Sequence, residues 1–190
     1  MKILKLTSCI PPSVNHYLAY RAIMNNGRPQ GTSYKTKEAK KYQAEFKEYV
    51  KDQVEAQNWD TDKDKYQHYY VDAFFYFPRT DMDANNYWKV LLDAITDTGL
   101  IWQDDNVVCE RVQGIWYDSE NPRIELEIKP VDYIGVFNNA SQMEAFKSIC
   151  IGCTRYKRNC SILRQAMRGN VQPYIKNGVC TKMHKRKEEL

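Results

Sequence analysis

Nine residues, Tyr69 to Phe77, read Tyr-Tyr-Val-Asp-Ala-Phe-Phe-Tyr-Phe, and no other stretch limits the fold as much. β-Branched and aromatic side chains fit the pleated surface of a sheet, and a run this rich in them belongs near its centre. Pro78 ends the run, because proline has no amide hydrogen to give a ladder. A central strand needs neighbouring strands and an amphipathic cover, so the rest of the chain must supply both.

Those parts are readable. Residues 2–9 alternate as a strand, and Ile10-Pro11-Pro12-Ser13 breaks it. Residues 25–33, with two glycines, a proline and two asparagines, read as a loop. From Ser33 to Gln57 the period becomes helical, with Ala39, Tyr42, Phe46, Val50 and Val54 on one face and lysine and glutamate on the other. Asp60 to Lys65 reads as a charged turn. After the central strand, a polar loop leads to a second helix from about Asn85 to Thr98, with Trp88, Leu91, Leu92 and Ile95 as its buried stripe. Gly99 stands where a left-handed C-terminal cap is needed. Two more strands are expected near 107–117 and 122–130, joined by a turn at 118–122. Cys9 and Cys109 fall in strands and are expected in the core. The order predicts an α+β domain over residues 1–131, a small mixed sheet packed with two main helices. A linker at 132–145 and a basic, cysteine-bearing segment at 146–190 follow.

Composition narrows the class. A chain of 190 residues can bury one core and carry a small appendage. With 43% hydrophobic and 27% charged residues it is a globular chain, not a disordered one. No segment approaches the roughly 20 apolar residues that span a bilayer, so no membrane partner is expected. The N-terminus lacks the apolar run of a signal peptide, which points to the cytoplasm. There, six cysteines are expected as free thiols or metal ligands. Residues 142–190 hold 11 Lys+Arg and 3 Asp+Glu, net +8; the other 17 and 21 leave residues 1–141 at net −4. An acidic body with a basic tail suits a polyanionic partner, and suits equally a tail that is merely solvated. The 14 tyrosines are compatible with base stacking but fit half-buried strands as well.

Chemistry concentrates between Thr80 and Val108. Asp81 and Asp83 precede the second helix, and Asp104 and Asp105 follow it. If that helix packs back on the sheet and the two loops meet, their carboxylates make the hard oxygen pocket that Mg²⁺ prefers. Such a metal activates water for phosphodiester hydrolysis. Lys89 could then steady the phosphate. The same residues read equally as helix caps, turn aspartates and an i,i+4 Lys89–Asp93 pair.

Asp83 to Ile95, Asp-Ala-Asn-Asn-Tyr-Trp-Lys-Val-Leu-Leu-Asp-Ala-Ile, followed by Gly99 to Val108, Gly-Leu-Ile-Trp-Gln-Asp-Asp-Asn-Val-Val, resembles the RusA family of Holliday-junction resolvases. Pro11 to Tyr17 resembles that family's opening after its first strand, and Tyr34 to Tyr42 is similar less specifically. The resemblance implies a divalent-metal endodeoxyribonuclease, with Mg²⁺ as its cofactor, that makes paired nicks in branched DNA as a homodimer, often in a bacterial or phage-infected cell. It implies catalytic roles for Asp83, Lys89 and Asp105, with Asp83, Asn85 and Asp105 as Mg²⁺ ligands. Asp81 and Asp104 stand in reserve. Asn85 departs from the family's aspartate at that position, which leaves open a protein that binds branched DNA without cutting it. Arg79 and Lys89 are candidate DNA contacts.

Outside that region, Cys150, Cys153, Cys160 and Cys180 have a spacing that can close a tetrahedral zinc site, with His184 as an alternative ligand. An iron–sulfur cluster or a metal-free tail remains open. Arg155, Lys157 and Arg158 between the thiols would then form a basic loop suited to a DNA backbone.

Overall fold

A computed structural model describes residues 2–61, 67–170 and 174–184. The chain divides into two compact units, residues 1–65 with 69–130, and residues 66–68 with 131–190. No helix among the described residues is long and apolar enough to cross a membrane.

The larger unit is built on a four-stranded mixed sheet. Its strands are β1 (Leu4–Cys9), β4 (Tyr69–Phe77), β5 (Val108–Tyr117) and β6 (Arg123–Pro130), in the order β1-β6-β4-β5. β6 runs antiparallel to both of its neighbours, whereas β4 and β5 are parallel. Parallel neighbours need a crossover, and helix α3 (Trp88–Thr96) lies in that connection. Helix α2 (Lys37–Ala56) packs on α3 and β1. The sheet face under the helices carries Leu4, Leu6, Val71, Ala73, Phe75, Phe77, Ile124, Leu126 and Ile128, all at most 2% exposed. Each buried side chain of this size stabilises by about 1.5–3 kcal/mol, so the alternation along β1 and β6 is what fixes their register.

The opposite sheet face mixes charged side chains with the stacked rings of Phe74, Tyr76 and Trp116, and one charge is buried in it. Asp72, 3% exposed, accepts two hydrogen bonds from Arg111, at 2.6 and 2.7 Å, one from Gln113 at 2.7 Å and one from Lys129 at 3.1 Å. Gln113 reaches it because β5 bulges there: Val112 pairs with Ala73 and Gly114 with Phe74, leaving Gln113 as the extra residue. A Cβ at Gly114 would run into the Trp116 ring, which lies over it and would have to shift.

Three expectations need correction. Residues 25–33 are not a loop. They belong to a hairpin of β2 (Leu18–Asn25) and β3 (Arg28–Lys35), turned by Asn26 and Gly27 at φ +49° and +76°. Two such residues make the tight turn whose twist matches paired strands. The first long helix therefore starts at Lys37 rather than Ser33, where the Thr36 hydroxyl accepts the Ala39 amide. A short helix α1 (Val14–Tyr17) precedes the hairpin. Cys9 and Cys109 are exposed, because Leu4, Leu6 and Ser8 take the inward positions of β1 and Cys109 faces outward on edge strand β5. Of the expected charged turn at 60–65, residues 62–65 lie outside the described residues.

Among its described residues the second unit has a core cluster of three buried side chains, Phe137, Phe146 and Ala166, with half-buried residues around them. Helix α4 (Ala140–Ile151) starts inside the stretch expected as a linker, capped by Asn139, which accepts the Gln142 amide. Helix α5 (Ile162–Met167) and a small hairpin, β7 (Ile175–Lys176) and β8 (Val179–Cys180), complete it.

Burial raises the Asp72 carboxyl, but its bonds to Arg111, Lys129 and Gln113 outweigh that and hold it below the usual aspartate range. A carboxylate with a lowered folded value stabilises above its unfolded range, near 4, and that contribution is lost as pH falls through the folded value. Asp72→Ala should therefore cost about 2–3 kcal/mol at pH 7 in urea denaturation, with the gap to wild type narrowing below about pH 4.

Candidate active site

Strand β4 has two ends, and each carries acidic residues. At the Phe77 end, Tyr87 packs on Phe77 with ring centroids 5.5 Å apart and holds down the loop that precedes α3. Asp83 caps a single 3-10 turn, Ala84–Asn86, by accepting the Asn85 amide at 3.0 Å. Burial raises the Tyr87 phenol most; Arg79 pulls it down, and Asp81 and Asp83 push it up, for a net rise. Those three side chains therefore share one neighbourhood with it. Asp81 is paired with Arg79 at 3.0 Å, and both are about 70% exposed.

Helix α3 starts three residues later than the sequence suggests, at Trp88, because the 3-10 turn takes residues 84–86. Lys89 is thus in its first turn, 58% exposed, with its ammonium 3.5 Å from Asp93. Asp93 is in turn held by the Tyr17 hydroxyl, which donates to it at 2.6 Å. Nothing in the local sequence marks this contact, which spans 76 positions.

The Tyr69 end carries the second pair. Trp102 packs on Tyr69 at 5.5 Å and donates its indole hydrogen to Thr96, fixing the loop after α3. Asp104 caps the following 3-10 turn by accepting the Asn106 amide at 3.0 Å, as Asp83 does with Asn85, and Asp105 opens that turn; both aspartates are exposed. Glu110 stands two residues into β5, paired with Val71 and so on the helix-covered side of the edge strand. Partial burial, and then the nearby Asp105, push its carboxyl above the ordinary range. Sequence reading missed Glu110, since a single acidic residue in a strand carries no local signal.

The expected meeting of the two loops does not occur within one chain. Tyr69 pairs with Val108 and Phe77 with Tyr117, so the parallel register sends the loops to opposite ends of β4. Nine residues of strand span about 27 Å. Asp83, Asn85 and Lys89 stay together at one end; Asp105 is at the other. In agreement, no three described His, Cys, Asp or Glu form a group able to hold a metal.

A family model described as endodeoxyribonuclease RusA matches residues 11–129, which runs from the loop after β1 to Lys129 in β6. The chain belongs to the RusA family. No curated protein matches it. RusA proteins are endodeoxyribonucleases that resolve Holliday junctions and are generally divalent-metal dependent. The RusA match includes every acidic residue named above and stops short of Cys150, Cys153, Cys160 and Cys180.

Beyond the RusA region, Cys150, Cys153, Cys160 and Cys180 all line one apolar pocket of the second unit, together with Tyr156, Leu163 and Met183. All six cysteines of the chain are free thiols. Burial, then the thiols of Cys180, Cys160 and Cys153, push Cys150 up to about 11. Cys153 is lowered by backbone N–H groups, His184 first at 3.5 Å and then Arg155. His184 thus meets the cluster through its backbone. Arg155 is half-buried, while Lys157 and Arg158 are exposed; Lys157 takes a left-handed φ of +58° with its ammonium 5.6 Å from the Tyr156 ring.

Proposed function

We propose that this RusA protein is a divalent-metal-dependent endonuclease that makes paired nicks in four-way DNA junctions. In this reading it works as a homodimer whose two sites each combine Asp83, Asn85 and Lys89 of one copy with Asp105 of the other. The observation that carries the reading is the parallel pairing of β4 and β5. With Asp83 and Asn85 near one end of β4 and Asp105 near the other, the reading needs a second copy to complete each ligand set, and a two-fold partner is the simplest supply. A two-fold dimer also presents two equal sites to a nearly two-fold junction.

The donors suit a hard cation such as Mg²⁺: two carboxylates and an amide carbonyl, all oxygen. When bound, the cation would lower the pKa of a water and polarise the phosphoryl oxygen. The protein's own contribution starts with Asp83, whose orientation is set by the Asn85 amide before any ligand arrives. Lys89 brings an exposed ammonium to the same end, steered by Asp93 and, through it, by Tyr17. There it can neutralise charge on the scissile phosphate. Asn85 supplies an oxygen but no charge, and Glu110 beside Asp105 is the carboxylate best situated to make up the deficit.

On a synthetic four-way junction with Mg²⁺ or Mn²⁺, Asp83→Asn, Asp105→Asn and Lys89→Ala should each slow nicking at least about a hundredfold. Metal-free binding should stay within a few-fold of wild type. Glu110→Gln should raise the metal concentration needed for half-maximal rate. A wild-type protein that binds junctions and nicks none at any metal concentration would contradict the enzyme and favour a binding protein.

For the second unit, a structural zinc is the reading that the four-thiol pocket favours. Among the described residues its core cluster holds three buried side chains, and a metal held by four thiolates would add stabilisation to it. Side-chain rotation would have to draw the sulfurs inward, because they do not yet form a ligand set. Protein purified without chelator should carry one zinc per chain, lost in Cys153→Ser/Cys160→Ser. Metal-free protein, or a brown iron–sulfur chromophore, would overturn this.

A further inference from the structure

The β2–β3 hairpin is unlike the rest of the larger unit. Its eight cross-strand pairs run from Leu18 with Lys35 to Asn25 with Arg28, and among the described residues it joins neither the main sheet nor any third strand. Residues 20–31 are all exposed. A two-stranded ribbon without a third strand is marginal in water, so a ribbon of this length implies something that it lies against.

The register sorts its side chains. Ala19, Arg21, Ile23 and Asn25 share one face with Tyr34, Thr32, Gln30 and Arg28. That face is hydrogen-bonding and cationic. Arg21 lies 5.4 Å from the Tyr34 ring and Asn25 donates to Gln30 at 2.9 Å, so the side chains are already arrayed across the two strands. The other face holds Tyr20 and Met24, 79% and 71% exposed, with Ala22, Gly31 and Pro29.

Charge identifies the occupant. Residues 1–37 contain no Asp or Glu, whereas the larger unit as a whole is acidic. Arginine, asparagine, glutamine and threonine are the side chains that bond phosphates and base edges, and the major groove admits a two-stranded ribbon. The ribbon is also rooted at the proposed site. Its first pair, Leu18 with Lys35, directly follows Tyr17, which holds Asp93 on the helix that carries Lys89.

We propose that the polar face of this ribbon is a duplex-DNA contact that grips one arm of the branched substrate in a groove. The proposal rests on the reading of the chain as a branched-DNA nuclease and assigns to that nuclease a binding element separate from its metal ligands. Arg21 and Arg28 are the principal contacts, and Asn25, Gln30 and Thr32 line the groove between them.

The test is equilibrium binding, by fluorescence anisotropy, of a labelled four-way junction and a labelled linear duplex in EDTA over a range of salt. Arg21→Ala/Arg28→Ala should weaken both at least tenfold and lower the log–log salt slope by about 2, one phosphate contact per arginine. Lys41→Ala/Lys51→Ala removes the same charge from helix α2, where both lysines are already paired with glutamates, and should change little. Unchanged affinity and slope in the ribbon variant would overturn the proposal. So would a fall in binding accompanied by conversion of dimer to monomer in sedimentation, which would make the ribbon an arm for a second copy. Wild-type protein that binds and never nicks sinks the nuclease reading alone. Ribbon variants that nick and bind like wild type sink this one alone.

Discussion

The parallel pairing of β4 with β5 is the constraint on which the rest of the larger unit depends. It forces a crossover, and helix α3 with its two flanking loops is that crossover. Once the strands run the same way, the loop leaving β4 and the loop entering β5 must emerge at opposite ends. Tyr87 on Phe77 and Trp102 on Tyr69 then pin each loop where it emerges. The acidic residues of a RusA nuclease are in this way divided between two ends of one strand. On the proposed reading, the division makes association part of the chemistry.

What was legible in the sequence is what local pattern encodes. The apolar run at 69–77 and the three- and four-residue period from Ala39 to Val54 each describe one element at a time, and each is present. Gly99 is left-handed as expected, at φ +65°, but lies beyond Asp97, which caps α3. The hairpin at 18–35 was hidden because Asn26-Gly27 lies among other turn-forming residues and the flanking strands are exposed, so no inside-outside alternation marks them. Strand direction was hidden for a deeper reason. Whether β5 runs with or against β4 depends on the route of the chain between them, not on any property of either strand. The residues of the candidate site were thus nameable from the resemblance, while their grouping was not.

The same distinction applies to Asp104 and Asp105. In sequence they are an undifferentiated pair. In the fold both are exposed, but the Asp104 carboxylate accepts the Asn106 amide, while Asp105 is the one that lies near Glu110. Glu110 and the Tyr17–Asp93 bond come from pairings across 39 and 76 positions, beyond any window that periodicity can read. The cysteines show the opposite case. Their spacing singled out Cys150, Cys153, Cys160 and Cys180, and the fold brings those four to one pocket while leaving Cys9 and Cys109 exposed on the sheet.

Complementation between two inactive variants tests the shared site most directly. Asp83→Asn and Asp105→Asn chains are co-expressed with different tags, the mixed dimer is isolated, and its nicking of a four-way junction is measured. If each site takes Asp83 from one copy and Asp105 from the other, the mixed dimer has one intact site and nicks a single strand at up to half the wild-type rate. If both carboxylates come from the same chain, every site in the mixed dimer lacks one of them. The mixed dimer would then be as inactive as its parents, and the two-copy site would be wrong.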